Sequence, residues 1–472
     1  MKDTDRKALF WTFVIFLVAS PRLMEDGISL DPAIYSTMAR NFAENGGWRI
    51  GAGKYFFPDF PDHPYLFPWI QGLFFRVFGA SDYTSRLPNL IFGSFTVFFL
   101  FRFVFRNFGE KVANFFALAT MVTSPFVGRF ATAYLEVTYF FFFAASLDYF
   151  DLALGARAEK TFWRYVAISA AWFTAAFFTK GIALLPGLAL LFWWGWLSET
   201  ERPRVLKTLG SWTAVTVAMC GACIGLQSAN GAYPFWSGYF QRALFTRATQ
   251  SKSLWRGEAL FLWLIFRLHA IHVLLALFAR PSQNRRLFWF ALGGFLLFAL
   301  SNGVLGMQYH HYTYPALPFV NLLTAMGLLK LGADEKLTLE ISRKVAFRAA
   351  IAFQIFWNLA PIPMRKKPFV EFIRFRTPML AMKQAGLTEL QGLDLTETDW
   401  LYPAMSLWYW KLDTKILTAP PVPGVVVVQR GDGGLVPSLP GFRACALGPR
   451  YELWVSERWW DICFRSTQAL KK

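Results

Sequence analysis

The stretch LDPAIYSTMARNFAENGGW, residues 30–48, interrupts a strongly apolar chain with polar side chains in a helical pattern. Asp31 is a typical N-cap, Pro32 suits the first position of a helix, and the pair Gly46–Gly47 suits its end. Apolar residues recur at every fourth position along it, at Ile34, Met38 and Phe42. The stretch is therefore predicted to be a short amphipathic helix that lies on a membrane surface.

The composition of the whole chain is that of a membrane protein. Of its 472 residues, 55% are hydrophobic and 17% are charged, and the mean hydropathy is +0.34. An average soluble domain is about 25% charged. The net charge of +18 fits basic cytoplasmic loops and contact with anionic lipid headgroups. Membrane lipid is therefore an expected partner, and nucleic acid is not.

Apolar runs of about 17–25 residues, the length that crosses a bilayer, recur along the chain. Eleven spans are predicted, at residues 8–23, 86–101, 112–128, 133–152, 165–179, 181–198, 208–226, 258–279, 287–303, 313–331 and 345–361. Every second short loop between them is basic, as the positive-inside rule requires. We therefore predict a polytopic α-helical membrane protein of about eleven spans, with a cytoplasmic N-terminus.

The same alternation predicts two domains: the transmembrane region, residues 1–361, and an extracytoplasmic tail, residues 362–472. The loops 24–85 and 227–257 also fall on the outer side. The tail contains strand-like segments such as GVVVVQ and YELWVSE, and the turn RGDGG. These features predict a small mixed α/β domain.

The four cysteines are too few for a disulfide framework. Cys220 and Cys223 form a CxxC inside an apolar run, where small residues typically serve helix packing. Cys445 and Cys463 both lie in the tail. They are able to pair if the tail is extracytoplasmic, and the sequence leaves this open.

The first outer loop contains a second unusual stretch, FPDFPDHPYLFPW, residues 57–69. Asp62 and His63 precede Pro64, where a second interfacial helix is predicted to begin before ending near Gly79. Two short interfacial helices between the first two spans are unusual for a transporter or a channel.

Short motifs follow one another in a fixed order along the membrane region. They are Asp31, Tyr35, Ala39, Arg40 and Asn41; Asp62, His63, Pro64 and Trp69; Phe78, Gly79, Arg86, Leu87 and Pro88; Arg129 and Glu136; Thr179, Lys180 and Gly181; and Tyr312 and Pro315. With this ordered set the chain resembles the GT-C membrane glycosyltransferases of the protein mannosyltransferase and lipid A aminoarabinose transferase type. It departs from many relatives at Pro32, where they carry a second acid, and at Asp62–His63, where some have Glu-Lys.

The resemblance implies a GT-C fold in the bacterial inner membrane, with the C-terminal domain in the periplasm. It implies an enzyme that moves a sugar from a polyprenyl-phosphate donor to an acceptor on the outer face, with inversion of the anomeric carbon. The acceptor would be lipid A, another glycolipid, a glycan or a protein of the cell envelope. The alternative function is a transporter or flippase of lipid-linked substrates, which would predict inverted repeats and charged residues along mid-membrane helices.

Asp31 is the candidate catalytic base. Sugar transfer needs a group that takes the proton of the acceptor hydroxyl, and a carboxylate at the rigid start of a helix suits this task. Capping the helix would use only part of its acceptor capacity, so the two roles are compatible. The resemblance makes Tyr35 and Arg40, on the same helix, acceptor-binding or structural residues.

Lys180 and Arg129 are candidate phosphate-binding residues, because a leaving lipid phosphate needs fixed cations. Snorkelling to the membrane surface is the alternative for Lys180. Glu136, predicted inside a span, either pairs with Arg129 or contributes to acceptor binding.

Asp62 and His63 are candidates for binding the donor phosphate or a divalent metal cation, and capping the following helix is the alternative for Asp62. His310 and His311, predicted in an outer loop, could complete such a His/Asp metal site. Their spacing follows no standard metal motif, so phosphate and metal both remain open.

Overall fold

The computed structural model describes the residues 2–24, 27–28, 30–46, 62–241, 270–282, 284–304, 310–330, 348, 352, 370–393, 406, 408–409, 411–416, 424–429, 440–447 and 451–469. The chain forms two compact units. Unit 1 consists of Met1–Met24, Pro61–Phe67 and Arg86–Pro361. Unit 2 consists of Glu25–Phe60, Pro68–Ser85 and Ile362–Lys472. The division at residue 361 that the sequence suggests stays a prediction, and unit 2 adds parts of the first loop to the tail.

The described membrane region is helical. Its helices are α1 (Asp3–Ala19), α2 (Leu30–Asn45), α3 (Leu66–Phe78), α4 (Asp82–Phe108), α5 (Glu110–Val122), α6 (Ser124–Phe130), α7 (Leu135–Gly155), α8 (Glu159–Lys180), α9 (Leu185–Leu197), α10 (Arg202–Gln227), α11 (Tyr233–Phe240), α12 (Arg285–Val304) and α13 (Leu317–Lys330). Short 3₁₀ segments occur at Ser20–Met24, Gly181–Leu184 and His310–Ala316.

Helical stretches of membrane-spanning length confirm that this is a multi-pass membrane protein. Within the described residues, five stretches are long and apolar enough to cross a bilayer: Asp3–Met24, Asp82–Phe108, Leu135–Gly155, Glu159–Leu197 and Arg202–Phe240. The predicted number of eleven spans stays a prediction.

Among these five stretches, helix α7 has the largest share of buried residues, and apolar residues lie around its whole circumference. Small residues let its neighbour α8 approach closely, and Ser146 Oγ lies 3.0 Å from Ser169 Oγ. Trp212 of α10 donates its indole N–H to Ser169 Oγ at 3.0 Å. Phe142 stacks on Trp172 of α8, with ring centres 5.6 Å apart. Close aromatic packing and interhelical hydrogen bonds therefore join the three helices.

Ion pairs connect helix ends that border the basic loops. The pairs are Arg106–Asp148, Arg106–Asp151, Lys7–Glu110 and Lys207–Glu159, with N–O distances of 2.9, 2.6, 2.6 and 2.9 Å. The Asp148 side chain is fully buried, and a buried carboxylate is stable only when it is paired. Ion pairs therefore cross-link the helix ends beside the loops that the sequence predicts to be cytoplasmic, while the side of the membrane stays a prediction.

Unit 2 contains a five-stranded sheet with the strand order β2-β1-β3-β5-β4. The strands are β1 (Glu389–Leu393), β2 (Asp413–Ile416), β3 (Val425–Gln429), β4 (Phe442–Leu447) and β5 (Tyr451–Ser456). Strand β1 pairs in parallel with β2 and β3, whereas β5 pairs antiparallel with β3 and β4. Val425 and Val427 of β3 are buried, as the period of two in a half-buried strand requires. The described part of the tail also contains the helices α14 (Val370–Gln384) and α15 (Glu457–Ala469).

A disulfide joins Cys445 of β4 to Cys463 of α15. The sequence left this pairing open. A cross-link that closes a loop of this size lowers the entropy of the unfolded chain and stabilises the fold by about 3 kcal/mol. Cys220 and Cys223 are free thiols on α10.

Candidate functional site

A buried ion pair between Lys180 and Glu136 lies where α8 ends and α7 begins. Lys180 is the last residue of α8, and Glu136 lies in the first turn of α7. The ammonium donates a hydrogen bond to the carboxylate, and the two side chains are only 5% and 4% exposed. Both helix dipoles favour this arrangement, because the acid lies at a helix N-terminus and the cation at a C-terminus. Lys180 is thus buried and paired rather than extended towards water.

Two tyrosines line the ammonium group of Lys180. Its Nζ lies 4.4 Å from the ring centre of Tyr312 and 5.4 Å from that of Tyr139. Both distances permit cation–π attraction. Tyr312 belongs to the 3₁₀ segment His310–Ala316. Glu136, Lys180 and Tyr312 belong to three separate sequence motifs, and the structure brings them together.

Two arginines add positive charge to this cluster. Arg129 is buried near the end of α6, and its charge interacts with those of Glu136 and Arg22. A Cβ on Gly128 would lie 2.1 Å from Arg22 Nη1, so the Arg22 guanidinium packs directly against the backbone beside Arg129. Lys180 and Arg129 therefore both interact with Glu136, and fixed cations of this kind can accept an anionic group such as a phosphate.

Asn89 positions the turn between α6 and α7. Its side-chain amide donates hydrogen bonds to the carbonyl oxygens of Thr132 and Tyr134, both at 2.7 Å. Its Oδ1 accepts a hydrogen bond from Thr138 Oγ1 at 2.5 Å. The sequence alone does not indicate this role of Asn89, because one asparagine in an apolar span carries no pattern beyond its place after Arg86-Leu87-Pro88.

Gly181 follows Lys180 and lets a tyrosine approach the turn. Its φ is +60°, in the region that favours glycine. An added Cβ would lie 1.7 Å from the hydroxyl oxygen of Tyr239. That hydroxyl accepts a hydrogen bond from the backbone N–H of Ile182 at 2.7 Å. Both the backbone conformation and the lack of a side chain are therefore needed to hold the turn after Lys180.

Replacing Gly181 with alanine is expected to lower the free energy of unfolding by about 1–3 kcal/mol, the usual cost of a strained backbone conformation. The measurement is thermal unfolding of the purified protein in detergent. Gly210→Ala on α10 is the matched control, because a Cβ there meets nothing within 4 Å. It should leave stability unchanged or raise it. Equal unfolding temperatures for Gly181→Ala and the wild type would contradict the prediction.

Asp62 and His63 lie in the turn that precedes α3. Asp62 is half-buried and His63 is buried. Two residues further on, Tyr65 packs on Phe235 of α11, with ring centres 4.6 Å apart. The turn is thus held in place within unit 1. Helix α3 ends before Gly79, whose φ is +77°, as the sequence predicts.

The described residues contain no group of three or more His, Cys, Asp or Glu side chains able to hold a metal ion. Of His310 and His311, the structure describes the backbone, within the 3₁₀ segment His310–Ala316. The metal site with Asp62 and His63 stays a prediction.

Asp31, Tyr35 and Arg40 lie on α2, in unit 2. The helix begins before Asp31, which is half-buried in its first turn rather than at its N-cap. Tyr35 and Arg40 are both buried. Arg40 Nη1 donates a hydrogen bond to the carbonyl oxygen of Trp408 at 2.7 Å. Burial lowers the pKa of Arg40, and the charge of Glu44 opposes this shift. Arg40 thus has a structural contact to the tail.

Known proteins share part of this sequence or the fold of this chain. Residues 62–224 match the family model of the dolichyl-phosphate-mannose-protein mannosyltransferases. The crystal structure of ArnT from Cupriavidus metallidurans bound to undecaprenyl phosphate is similar, with a TM-score of 0.66 and 16% identity over 96% of this chain and 98% of that chain. Its apo structure also has a TM-score of 0.66 and 16% identity, over 94% of this chain and 97% of that chain. No curated protein sequence is significantly similar.

These similarities confirm the resemblance that the ordered motifs indicated. Residues 62–224 are similar to the dolichyl-phosphate-mannose-protein mannosyltransferases, and the chain has the fold of ArnT.

Proposed function

We propose that this protein transfers a sugar from a polyprenyl-phosphate carrier to an acceptor at the membrane. The mannosyltransferase family match, the ArnT-like fold, and the undecaprenyl phosphate named with that ArnT structure support the proposal. The observation that carries it is the buried Lys180–Glu136 pair together with the buried Arg129, whose charge interacts with that of Glu136. Fixed cations of this kind stabilise the negative charge that develops on a leaving lipid phosphate.

The proposed reaction is a single displacement at the anomeric carbon of the sugar. The hydroxyl oxygen of the acceptor forms a new bond to this carbon while the bond from the carbon to the phosphate oxygen breaks. The electron pair of the broken bond leaves with the polyprenyl phosphate, which gains one negative charge. The hydroxyl proton passes to a base. Attack opposite the leaving group inverts the anomeric carbon.

Each candidate residue has a role in this reaction. Asp31 acts as the base, and Lys180 with Arg129 stabilises the charge that develops on the leaving phosphate. Glu136 holds the Lys180 ammonium in place, and an ammonium has further N–H donors for a phosphate oxygen. His63 donates a hydrogen bond to the phosphate of the donor, whereas the Asp62 carboxylate, which would repel a phosphate, would join it only through a bound divalent cation.

We place the enzyme in the bacterial inner membrane, with its N-terminus in the cytoplasm and its tail outside. The alternation of basic loops supports this orientation. The Cys445–Cys463 disulfide supports an extracytoplasmic tail as well, since disulfides persist in oxidising compartments.

The test of the proposal is mass spectrometry of envelope glycolipids, glycans and glycoproteins from cells with and without the gene. We expect one class of molecules to lose a sugar residue when the gene is deleted and to regain it when the gene is restored. An unchanged glycan profile combined with an altered flux of a lipid-linked solute would instead establish a transporter or flippase.

A further inference from the structure

Within unit 2, the carboxylate of Asp82, at the start of α4, accepts hydrogen bonds from both the tail and the segment that precedes α2. Trp408 Nε1 donates a hydrogen bond to Asp82 Oδ1 at 2.8 Å. The hydroxyl of Tyr409 donates to Asp82 Oδ2 at 3.1 Å, and the backbone N–H of Gly27 donates to the same oxygen at 3.1 Å. One carboxylate thus joins two side chains of the tail to the chain just before α2.

The hydroxyl of Tyr409 makes a second bond to the same segment. It accepts a hydrogen bond from the backbone N–H of Ile28 at 2.9 Å. Ile28 stands three residues before Asp31 in the sequence. Since this hydroxyl bonds both Asp82 and Ile28, it holds the backbone at Ile28, shortly before α2, whose first turn contains Asp31.

The tail also contacts α2 beyond its first turn. Arg40 Nη1 donates to the carbonyl oxygen of Trp408, and its guanidinium carbon lies 5.6 Å from the centre of the Trp408 ring. Lys411 pairs with Glu44, near the end of α2, at 2.5 Å. The Trp408 ring stacks on Phe75 of α3 at 5.8 Å. The tail therefore contacts the segment just before α2, the helix itself at Arg40, and its last turn at Glu44.

From these contacts we infer that the C-terminal tail positions α2 for catalysis, with Tyr409 as a positioning residue for Asp31. The inference rests on the proposed function, in which Asp31 is the base. A base must lie within hydrogen-bond reach of the proton it takes, and small displacements of a reacting group cause large losses of rate. Tyr409 would thus affect turnover through the position of α2, without contacting the substrate itself.

The test uses Tyr409→Phe in the full-length protein, because phenylalanine keeps the ring and removes only the hydroxyl. We expect faster hydrogen–deuterium exchange in residues 27–45, measured without substrate. The activity probes are farnesyl-phosphate-linked pentose and hexose donors, with release of farnesyl phosphate as the signal. We expect kcat to fall about tenfold with an unchanged KM for the donor, the expected size for a displaced base.

The matched control is Arg443→Gln, which removes an exposed 3.3 Å pair with Glu457 in the same tail and does not touch α2 in the described contacts. It should change neither the exchange in residues 27–45 nor kcat. A purely structural role of Tyr409 would lower the amount of folded enzyme without changing kcat per folded molecule, and this result would overturn the inference.

The remaining outcomes separate this inference from the proposed function. Unchanged exchange in Tyr409→Phe overturns the inference even if the wild type accepts none of the donors. A rise of KM alone overturns it too, because it would show a role in donor binding. Wild-type turnover in Asp31→Asn would instead overturn the proposed role of Asp31 as the base.

Discussion

Replacing Lys180 with methionine is expected to unfold or severely destabilise the protein and to abolish sugar transfer. The substitution breaks the buried ion pair between Lys180 and Glu136, and breaking such a pair by removing one partner typically costs about 3–5 kcal/mol. It also removes a cation proposed to stabilise the leaving phosphate. The measurements are the yield and thermal unfolding of purified protein in detergent, and the amount of glycosylated product in cells.

A double variant, Lys180→Met with Glu136→Gln, separates the two effects. Glutamine has nearly the shape of glutamate and carries no charge, so most of the lost stability should return. Sugar transfer should remain at least about a hundredfold below wild type, a typical loss when one charge-stabilising donor is removed. A stable double variant with nearly wild-type transfer would show that the pair is purely structural.

Replacing Asp31 with asparagine is expected to reduce turnover by about 10²–10⁴-fold, the usual contribution of a general base. Asparagine cannot take the proton of the acceptor hydroxyl, but its shape is almost the same and it is well tolerated at helix starts. The unfolding temperature should therefore change little. The measurements are the product level in cells and thermal unfolding of the purified variant.

Asp461→Asn is the matched control for this substitution, because Asp461 is an exposed acid on α15. It should leave both product level and stability unchanged. If Asp31→Asn retained more than about a tenth of wild-type product, in place of the loss expected for a missing base, Asp31 would be excluded as the base.

Local patterns predicted several elements well. The helix signals between Asp31 and Gly46 predicted α2, although the helix begins slightly earlier. Gly79 was predicted as the end of the second interfacial helix, which begins at Leu66 rather than Pro64. Such elements depend on residues close together in the chain, so their signals are visible in the sequence.

By itself, the sequence determined that this is a polytopic helical membrane protein with the ordered motifs of the GT-C glycosyltransferases. Hydrophobic length and local motifs suffice for that conclusion. Only the tertiary structure decided that Lys180 pairs with Glu136, that Asn89 fixes the turn into α7, and that Tyr409 is bonded to the segment before α2. These contacts join residues far apart in the chain. Their partners depend on how helices and sheet pack, and no local spacing encodes that.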